Sequence, residues 1–289
     1  MEAIHVDEHK RESNFKIASA MSAGETISKL QDANLFPAEY LNFDSYGIPV
    51  IDYRTMNGVY IGKQRNPVTT SQKSWNWLKL YQQTKDVIYY NYFFNCAQWL
   101  MEWSEKTSNG LMLPYRFPYP PYNLVPNWYS AMAQGQAIQT LTYAYRISQN
   151  KIYLDYAKEM LKPLKIEIKN GGVGIKLNEN AWWYEEYASS AIKPPMVLNG
   201  MNFCLLGIYE YYKTTGDPEA KEVFDRGING LLLELHKYDC DGWTYYDQLG
   251  HISSSHYHSI HVNQMKQLHD ITGNEKFLYY YERWKEKLQ

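Results

Sequence analysis

The chain of 289 residues lacks the features that mark several large classes of protein. Its three cysteines, Cys96, Cys204 and Cys240, are scattered, which argues against a disulfide framework and is typical of a reducing compartment. A net charge of −2 provides no basic field for nucleic acid. No run approaches the roughly 20 apolar residues of a membrane span, and the charged first residues contain no signal-peptide core. We therefore expect a cytoplasmic protein with no membrane span and no nucleic-acid partner.

Metal-binding motifs are also scarce. His256, His258 and His261 lie close together, but no H-E-x-x-H motif and no neighbouring Cys or Asp at ligand spacing accompanies them. We expect neither a metal nor another cofactor. Aromatic residues, in contrast, are abundant, with 28 tyrosines and 9 tryptophans in a chain of mean hydropathy −0.55. Their flat faces and polar edges suit carbohydrate surfaces as well as protein cores.

Four short polar turns recur along the chain and end at Asp86, Asn150, Asp217 and Asn274. Each turn is flanked by apolar residues at helical spacing. The intervals between the turns, about 64, 67 and 57 residues, indicate a diverged helical repeat. The pattern predicts a mainly α fold, an (α/α) toroid or incomplete barrel of antiparallel helical hairpins.

The links between the predicted hairpins are much longer than the turns within them. They cover about residues 102–127, 165–196 and 237–258, and in a stack of hairpins all three lie at the same end. G-G-V-G-I-K-L-N-E-N-A-W-W-Y-E-E-Y in the second link predicts two strands around an N-E-N turn, and D-G-W-T-Y-Y-D in the third predicts another strand. We therefore expect short β-hairpins in the long loops, and a functional site where the loops converge.

The beginning of the chain follows a different pattern. F-D-S-Y-G-I-P-V-I-D-Y reads as extended, and residues 16–32 read as a helix. We predict that residues 1–65 form an N-terminal extension packed on a helical catalytic domain of residues 66–289. Without a convincing linker, the two parts are expected to form one structural domain.

Polar residues around the first two links are candidates for binding a sugar. Arg116 could bind a carboxylate in fork geometry or lie at the surface. Gln134 and Gln136 could hydrogen-bond sugar hydroxyls or line the core. Asn199 could contact a substrate or cap the helix that follows it.

The W-W-Y-E-E-Y stretch places two carboxyl groups beside phenols and indoles. In a strand, alternation puts Trp183, Glu185 and Tyr187 on one side. Tyr184 and Glu186 would then face the other side. Alternation can fail at the end of a strand. The sequence therefore does not decide whether Glu185 or Glu186 faces a site.

In the third link, Tyr246 and Tyr257 lie among polar residues rather than in an apolar stripe, so they are the best candidates for chemistry there. A glycoside hydrolase would instead use two carboxylates across a cleft. The carboxylates that the links offer for that role are Glu185, Glu186, Asp241 and Asp247.

Five segments, taken together, resemble the catalytic domain of the D-glucuronyl C5-epimerases over roughly residues 66–289. In chain order they are N-W-Y-S-A-M-A-Q-G-Q, W-Y-E-E-Y, V-L-N-G-M, T-Y-Y-D and H-Y-H-S-I-H-V-N-Q. The resemblance implies an (α/α) toroid and an isomerase that inverts C5 of D-glucuronate in a heparosan-like glycan to give L-iduronate. Its expected partner is an acidic polysaccharide or oligosaccharide, and a homodimer is possible.

The resemblance also assigns residues. Glu186, Tyr187, Tyr246 and Tyr257 are expected to be catalytic, with Tyr257 and the Glu186/Tyr187 pair on opposite faces of the ring. The residues expected to bind substrate are Arg116, Tyr129, Gln134, Gln136, Trp183, Tyr184, Asn199, His256, His258, His261 and Asn263. Among these, Arg116 and the three histidines would supply positive potential.

The chain departs from the animal enzymes at two motifs. After Y-D it has Q-L-G-H, where they have an arginine, and it has E-Y-A-S-S-A in place of E-Y-P-T-T-P. Within these 289 residues we see no counterpart of their β-rich N-terminal domains. A uronate lyase, which begins with the same proton abstraction, and a non-catalytic glycan-binding toroid are the alternatives.

Overall fold

A computed structural model of the protein describes residues 41–288. The helix predicted at 16–32 and most of the predicted extension lie outside that range. Between residues 41 and 288 the chain forms four antiparallel helical hairpins, which confirms the predicted mainly α fold. The helices are α1 (Pro67–Thr84), α2 (Val87–Trp103), α3 (Ala131–Ser148), α4 (Ile152–Leu161), α5 (Leu198–Thr215), α6 (Pro218–Glu234), α7 (Ser255–Thr272) and α8 (Glu275–Lys285).

The four hairpin turns share one design and lie where the repeat predicted them. The first helix of each hairpin ends at a residue in the left-handed region, which stops the helix and reverses the chain. These residues are Lys85, Gln149, Gly216 and Gly273. A polar side chain then accepts a backbone N–H in the first turn of the second helix. These side chains belong to Asp86, Asn150, Asp217 and Asn274.

The odd-numbered helices form an inner layer, in which α1 packs on α3, α3 on α5 and α5 on α7. Each even-numbered helix packs on the helix that precedes it. The closest approach joins α3 and α5, where a Cβ at Gly207 would lie 1.9 Å from the carbonyl oxygen of Gly135. Only glycine permits this backbone contact.

Short antiparallel strands occupy the connections, as predicted for the long loops. The strands are β1 (Leu41–Phe43), β2 (Pro49–Asp52), β3 (Thr55–Met56), β4 (Val59–Tyr60), β5 (Lys63–Gln64), β6 (Glu105–Thr107), β7 (Gly110–Met112), β8 (Gly174–Asn178), β9 (Ala181–Tyr184), β10 (Asp239–Cys240) and β11 (Trp243–Thr244). Strands β1, β2 and β5 form one sheet in the order β1-β2-β5, and the other strands pair as consecutive hairpins.

The sheet of residues 41–64 packs on the first helical hairpin. The indole N–H of Trp77 donates to the Gly47 carbonyl oxygen (3.0 Å), and the Asn95 amide donates to that of Tyr46 (2.9 Å). The Phe43 ring meets the Trp77 ring edge-on at 5.2 Å. From residue 41 to residue 288, every helix is too short or too polar to span a lipid bilayer.

Candidate active site

A pocket of about 360 Å³ opens at the end of the bundle where the long links meet. Its walls come from the first sheet, α1, the first and second links, and the starts of α5 and α7. Five of the residues proposed from the sequence line it: Glu186, Tyr187, Asn199, His256 and Tyr257. Tyr246 lies beside them, with its ring centroid 4.8 Å from that of Tyr257. The structure therefore brings the four predicted catalytic side chains together.

Backbone pairing next to Glu186 and Tyr187 directs both side chains towards the pocket. Strand β9 ends at Tyr184, and the segment that follows it pairs with the chain entering α3. The Ala131 N–H donates to the Glu185 carbonyl oxygen (2.9 Å), and the Ala188 N–H donates to that of Tyr129 (3.0 Å). The alternation expected of a continuous strand therefore does not extend to Glu186 and Tyr187.

Glu185 faces away from the pocket and holds the second link. Its two carboxylate oxygens accept the backbone N–H groups of Tyr187 (3.0 Å) and Met196 (2.9 Å). Burial raises the pKa of Glu185 to about 7, and these backbone donors oppose the rise. Glu185 is thus a structural carboxyl group.

Glu186 is half-buried, and its buried Oε2 atom has no hydrogen-bond partner among the described residues. Burial raises the pKa of Glu186 to about 8, the neighbouring Glu185 charge adds to the rise, and the Tyr187 hydroxyl opposes it. A carboxyl group with a pKa close to neutrality can take up or release a proton at physiological pH.

Phenols surround Glu186. Burial raises the pKa of Tyr257 to about 12 and those of Tyr187 and Tyr246 well above the ordinary value. The Glu186 charge is the second contribution to each of these three increases. At neutral pH the phenols are therefore hydrogen-bond donors rather than phenolates.

The sequence analysis missed Tyr119, which also lines the pocket. Its ring stacks on that of Tyr187, with centroids 5.2 Å apart and planes 5° apart. The Tyr122 ring packs on Tyr187 as well, at 4.5 Å, but its hydroxyl donates to Asp247 (2.6 Å). The proline-stiffened Y-P-P-Y stretch was the signal that could have identified these two tyrosines.

Asn199 does not cap helix α5. The cap position is occupied by Val197, which contributes no side-chain hydrogen bond. The Asn199 side chain is buried at the pocket wall, and its Oδ1 atom lacks a hydrogen-bond partner within the described part of the chain. This amide is therefore available to a ligand.

The two glutamines of α3 lie in the core. The Gln134 side-chain oxygen accepts the Leu113 N–H (3.0 Å), and its amide nitrogen donates to the carbonyl oxygens of Leu111 and Met160 (both 2.9 Å). Gln136 is fully buried in the same helix and does not line the pocket. Gln134 thus joins three backbone segments rather than contacting a ligand.

Trp183 and Tyr184 also lie in the core. The Trp183 ring stacks on that of Tyr238 at 5.8 Å. The Tyr184 hydroxyl donates to the Val223 carbonyl oxygen at 2.5 Å. Both side chains anchor strand β9 to the bundle and leave the pocket to the residues that follow them.

His258 and His261 of α7 are fully buried and do not line the pocket. Their Nδ1 atoms are 3.0 and 2.9 Å from the Thr244 hydroxyl, and Nε2 of His258 donates to the Trp284 carbonyl oxygen (3.0 Å). Burial lowers the pKa of both, that of His261 to about 3. These histidines are neutral, so they do not supply the positive potential that was expected of them.

Three other predicted residues lie outside the pocket. The Arg116 guanidinium stacks on Trp103, 4.3 Å from the ring centroid. The Tyr129 hydroxyl donates to the Glu105 carboxylate, and Asn263 is exposed. Among the described residues that line the pocket there is no lysine or arginine, and His256 is the one histidine.

The pocket wall also includes residues from the first part of the chain. Asn66 donates to the Tyr53 hydroxyl (2.6 Å), and Gln72 extends this polar wall along α1. Phe203 and Ile260 provide apolar surface on α5 and α7. The helical periodicity of α1 could have indicated Gln72, but nothing in the sequence indicated that Tyr53 would join it.

The fold is that of an (α/α) toroid. Cellobiose 2-epimerase from Spirochaeta thermophila has a similar structure, with a TM-score of 0.57 over 93% of this chain and 71% of that chain. Sequence identity is 14%, so this likeness shows a shared fold alone. The chain is thus an (α/α) toroid with a carboxyl group among aromatic side chains in the pocket at one end.

The family follows from sequence comparison. The profile for the D-glucuronyl C5-epimerase C-terminus matches residues 111–286, so the chain belongs to this family. D-glucuronyl C5-epimerase of Caenorhabditis elegans is 30% identical over 214 residues, which cover 66% of this chain and 34% of that protein. An uncharacterized protein of Methanocaldococcus jannaschii is 31% identical over 260 residues, 84% of each chain. A carbohydrate epimerase is the class of enzyme that these relationships support.

Proposed function

We propose that the protein inverts C5 of D-glucuronate residues in a heparosan-like glycan to give L-iduronate. One observation carries the proposal. The Glu186 carboxyl group, with a pKa near neutrality, shares a pocket with the phenols of Tyr187 on the second link and Tyr257 on α7. Such a pocket can hold a sugar ring between an acid–base group and a hydroxyl donor.

The reaction requires removal of the C5 proton and delivery of a proton to the opposite face. We assign Glu186, assisted by Tyr187, to one face and Tyr257 to the other. The raised pKa makes Glu186 a stronger base than an ordinary carboxylate. The Tyr257 hydroxyl keeps its proton at neutral pH and can donate it.

Negative charge develops on the substrate carboxylate as the proton leaves C5. With no lysine or arginine among the described lining residues, hydrogen-bond donors and His256 must stabilise this charge. The Tyr246 hydroxyl and the side-chain N–H of Asn199 are the donors we assign to it. A shared proton between the substrate carboxylate and one of these groups would further reduce the charge.

The carboxyl groups do not favour a glycoside hydrolase. Glu186 is the one acidic residue among the described pocket-lining residues. Glu185 binds backbone, Asp241 is fully exposed, and Asp247 binds Tyr122 and His251. A hydrolase would need a second carboxyl group across the cleft.

The test is incubation of the protein with heparosan in deuterated water, followed by NMR. Deuterium at C5 together with iduronate supports the proposal. An unsaturated, UV-absorbing product would identify a lyase, and new reducing ends would identify a hydrolase. Saturable binding without deuterium uptake would identify a glycan-binding protein.

A further inference from the structure

Helix α7 is the last helix of the inner layer, and within residues 41–288 its one close neighbour in that layer is α5. Tyr257, the proposed proton donor on one face of the sugar, lies in the first turn of α7. Glu186, which we assign to the other face, packs against Gly200 in the first turn of α5. The interface between α5 and α7 therefore determines how far apart these two groups lie.

Two buried amide side chains bridge this interface. The Asn202 side-chain N–H donates to the Gln264 side-chain oxygen (3.0 Å), and the Gln264 side-chain N–H donates to the Asn199 carbonyl oxygen (3.2 Å). Asn202 and Gln264 are both fully buried. We propose that Gln264 and Asn202 are positioning residues, which set the separation between α7 and the first turn of α5 and hence the width of the site. The inference rests on the proposed C5 inversion.

Helical spacing places the bridge next to the pocket. Tyr257, Ile260 and Gln264 are separated by three and four residues, so they share one face of α7. Tyr257 and Ile260 line the pocket. On α5, Asn199 lines the pocket, and Asn202 follows it by three residues on the same face. The amide bridge therefore continues two walls of the pocket into the core.

The chemistry of the bridge favours positioning over stabilisation. The Oδ1 atom of Asn202 has no hydrogen-bond partner among the described residues, and an unpartnered buried amide oxygen is unfavourable. Two apolar side chains of similar shape would fill the same space without this disadvantage. A buried amide pair, in contrast, fixes the register of two helices at the expense of stability, because a hydrogen bond has a defined length and direction.

The experiment compares the double variant Asn202→Leu/Gln264→Met with the unaltered protein on heparosan in deuterated water. Both replacements are apolar, so neither amide is left in the core without the other. We expect kcat for C5 inversion to fall about tenfold, because a small displacement of a reacting group slows the reaction steeply. KM should stay the same, since every residue that lines the pocket is retained.

A thermal melting curve distinguishes positioning from a general loss of packing. We expect the melting temperature of the double variant to equal or exceed that of the unaltered protein, because the unpartnered Asn202 oxygen is removed. A lower kcat at an undiminished melting temperature supports the inference. An unchanged kcat, or a lower kcat that accompanies a lower melting temperature, would overturn it.

Gln264→Met by itself is the second variant, and it is decisive if the double variant does not fold. It removes both hydrogen bonds of the bridge and retains the Asn202 side chain. We expect kcat to fall by a similar factor in this variant, again with KM unchanged. A higher KM at an unchanged kcat would indicate that the bridge acts on substrate binding through Asn199, and the inference would be wrong.

Thr140→Val is the matched control. Thr140 is the tenth residue of α3, as Gln264 is of α7. Its hydroxyl links α3 to α1, because it lies 3.2 Å from the Ser74 hydroxyl and accepts the Trp75 indole N–H (2.9 Å). Valine keeps the shape and removes these contacts, and we expect kcat to be unchanged. An equal fall in kcat would show that loss of any buried bridge between inner helices slows the reaction, which would contradict the inference.

The outcomes separate this inference from the proposed function. If the unaltered protein forms no iduronate and incorporates no deuterium at C5, the proposed function fails, and the inference fails with it. If the unaltered protein inverts C5 and the variants of Asn202 and Gln264 have the same kcat, the inference alone fails.

Discussion

The Glu186 carboxyl group lies against Gly200 in the first turn of α5. A Cβ added at Gly200 would fall 2.2 Å from Oε2 and 2.7 Å from Cβ of Glu186, and both distances are too short for a methyl group. The absence of a side chain at residue 200 therefore fixes where the Glu186 carboxyl group sits. The beginning of α5 and the proposed acid–base group on the second link therefore form one structural unit.

Gly200→Ala is expected to displace Glu186 and to lower kcat for C5 inversion by about 100-fold, because a shift of ~1 Å in a reacting group has an effect of that size. The helix itself gains from the change, since alanine is favoured over glycine by up to ~1 kcal/mol. Initial rates of deuterium uptake at C5 and a thermal melting curve provide the test. Full activity in this variant would show that Glu186 does not need its present position.

Tyr257→Phe is expected to abolish C5 proton exchange while leaving the fold intact, because the phenol is the proposed proton donor on one face of the sugar. Tyr279→Phe is the control, since Tyr279 is an exposed tyrosine of the last helix, α8. Exchange is measured by NMR in deuterated water. Near-normal exchange in Tyr257→Phe would remove this residue from the mechanism.

The pH dependence of kcat/KM is expected to follow Glu186. The base must be ionised to accept the C5 proton, so kcat/KM should rise with pH and level off above about 8, the pKa to which burial raises this group. The measurement is the initial rate at low substrate concentration from pH 5.5 to 9. A profile that stays flat over this range would exclude Glu186 as the base.

The free energy of unfolding should change with pH in the direction opposite to kcat/KM. Because the folded-state pKa of Glu186 is raised to about 8, the folded protein holds a proton that the unfolded chain releases above its ordinary pKa of 4.5. The free energy of unfolding contributed by this group therefore falls as pH rises from about 4.5 to about 8. Glu186→Gln should reduce the dependence of the free energy of unfolding on pH in urea titrations, while Glu185, whose pKa is raised to about 7, retains its own contribution. An unchanged pH dependence would contradict the assignment.

Gln134→Met is expected to reduce the free energy of unfolding by about 2 kcal/mol or more, because buried backbone groups of Leu111, Leu113 and Met160 would lose their partner. KM for heparosan should stay the same, since Gln134 lies in the core. Urea titration and steady-state kinetics give the two quantities. A higher KM at an unchanged free energy of unfolding would instead indicate that Gln134 binds the substrate.

The fold could be predicted because its signals are local and repeated. Helical spacing together with polar caps such as Asp86 and Asp217 defined each hairpin, and the N-E-N turn defined the hairpin of β8 and β9. The wall formed by Tyr53 and Gln72 was missed, because it depends on how a short sheet packs on α1. Contacts between a short sheet and a helix leave no periodic pattern of residues in the sequence.

The four candidate catalytic residues were assigned through resemblance, and their proximity follows from the common end of the links. The surrounding residues were harder to place. His258 and His261 were expected to supply positive potential, but both are fully buried on α7 and both contact the Thr244 hydroxyl. Tyr119 had no family motif to mark it, and only its stacking on Tyr187 identifies it.

The hairpin turns at Lys85, Gln149, Gly216 and Gly273 lie at the end of the bundle away from the pocket. Each turn is stabilised by its own left-handed residue and its own polar cap. Its conformation therefore does not depend on the residues that line the pocket. Affinity tags, fluorophores or surface-immobilisation handles inserted at these four points should leave saccharide entry unobstructed.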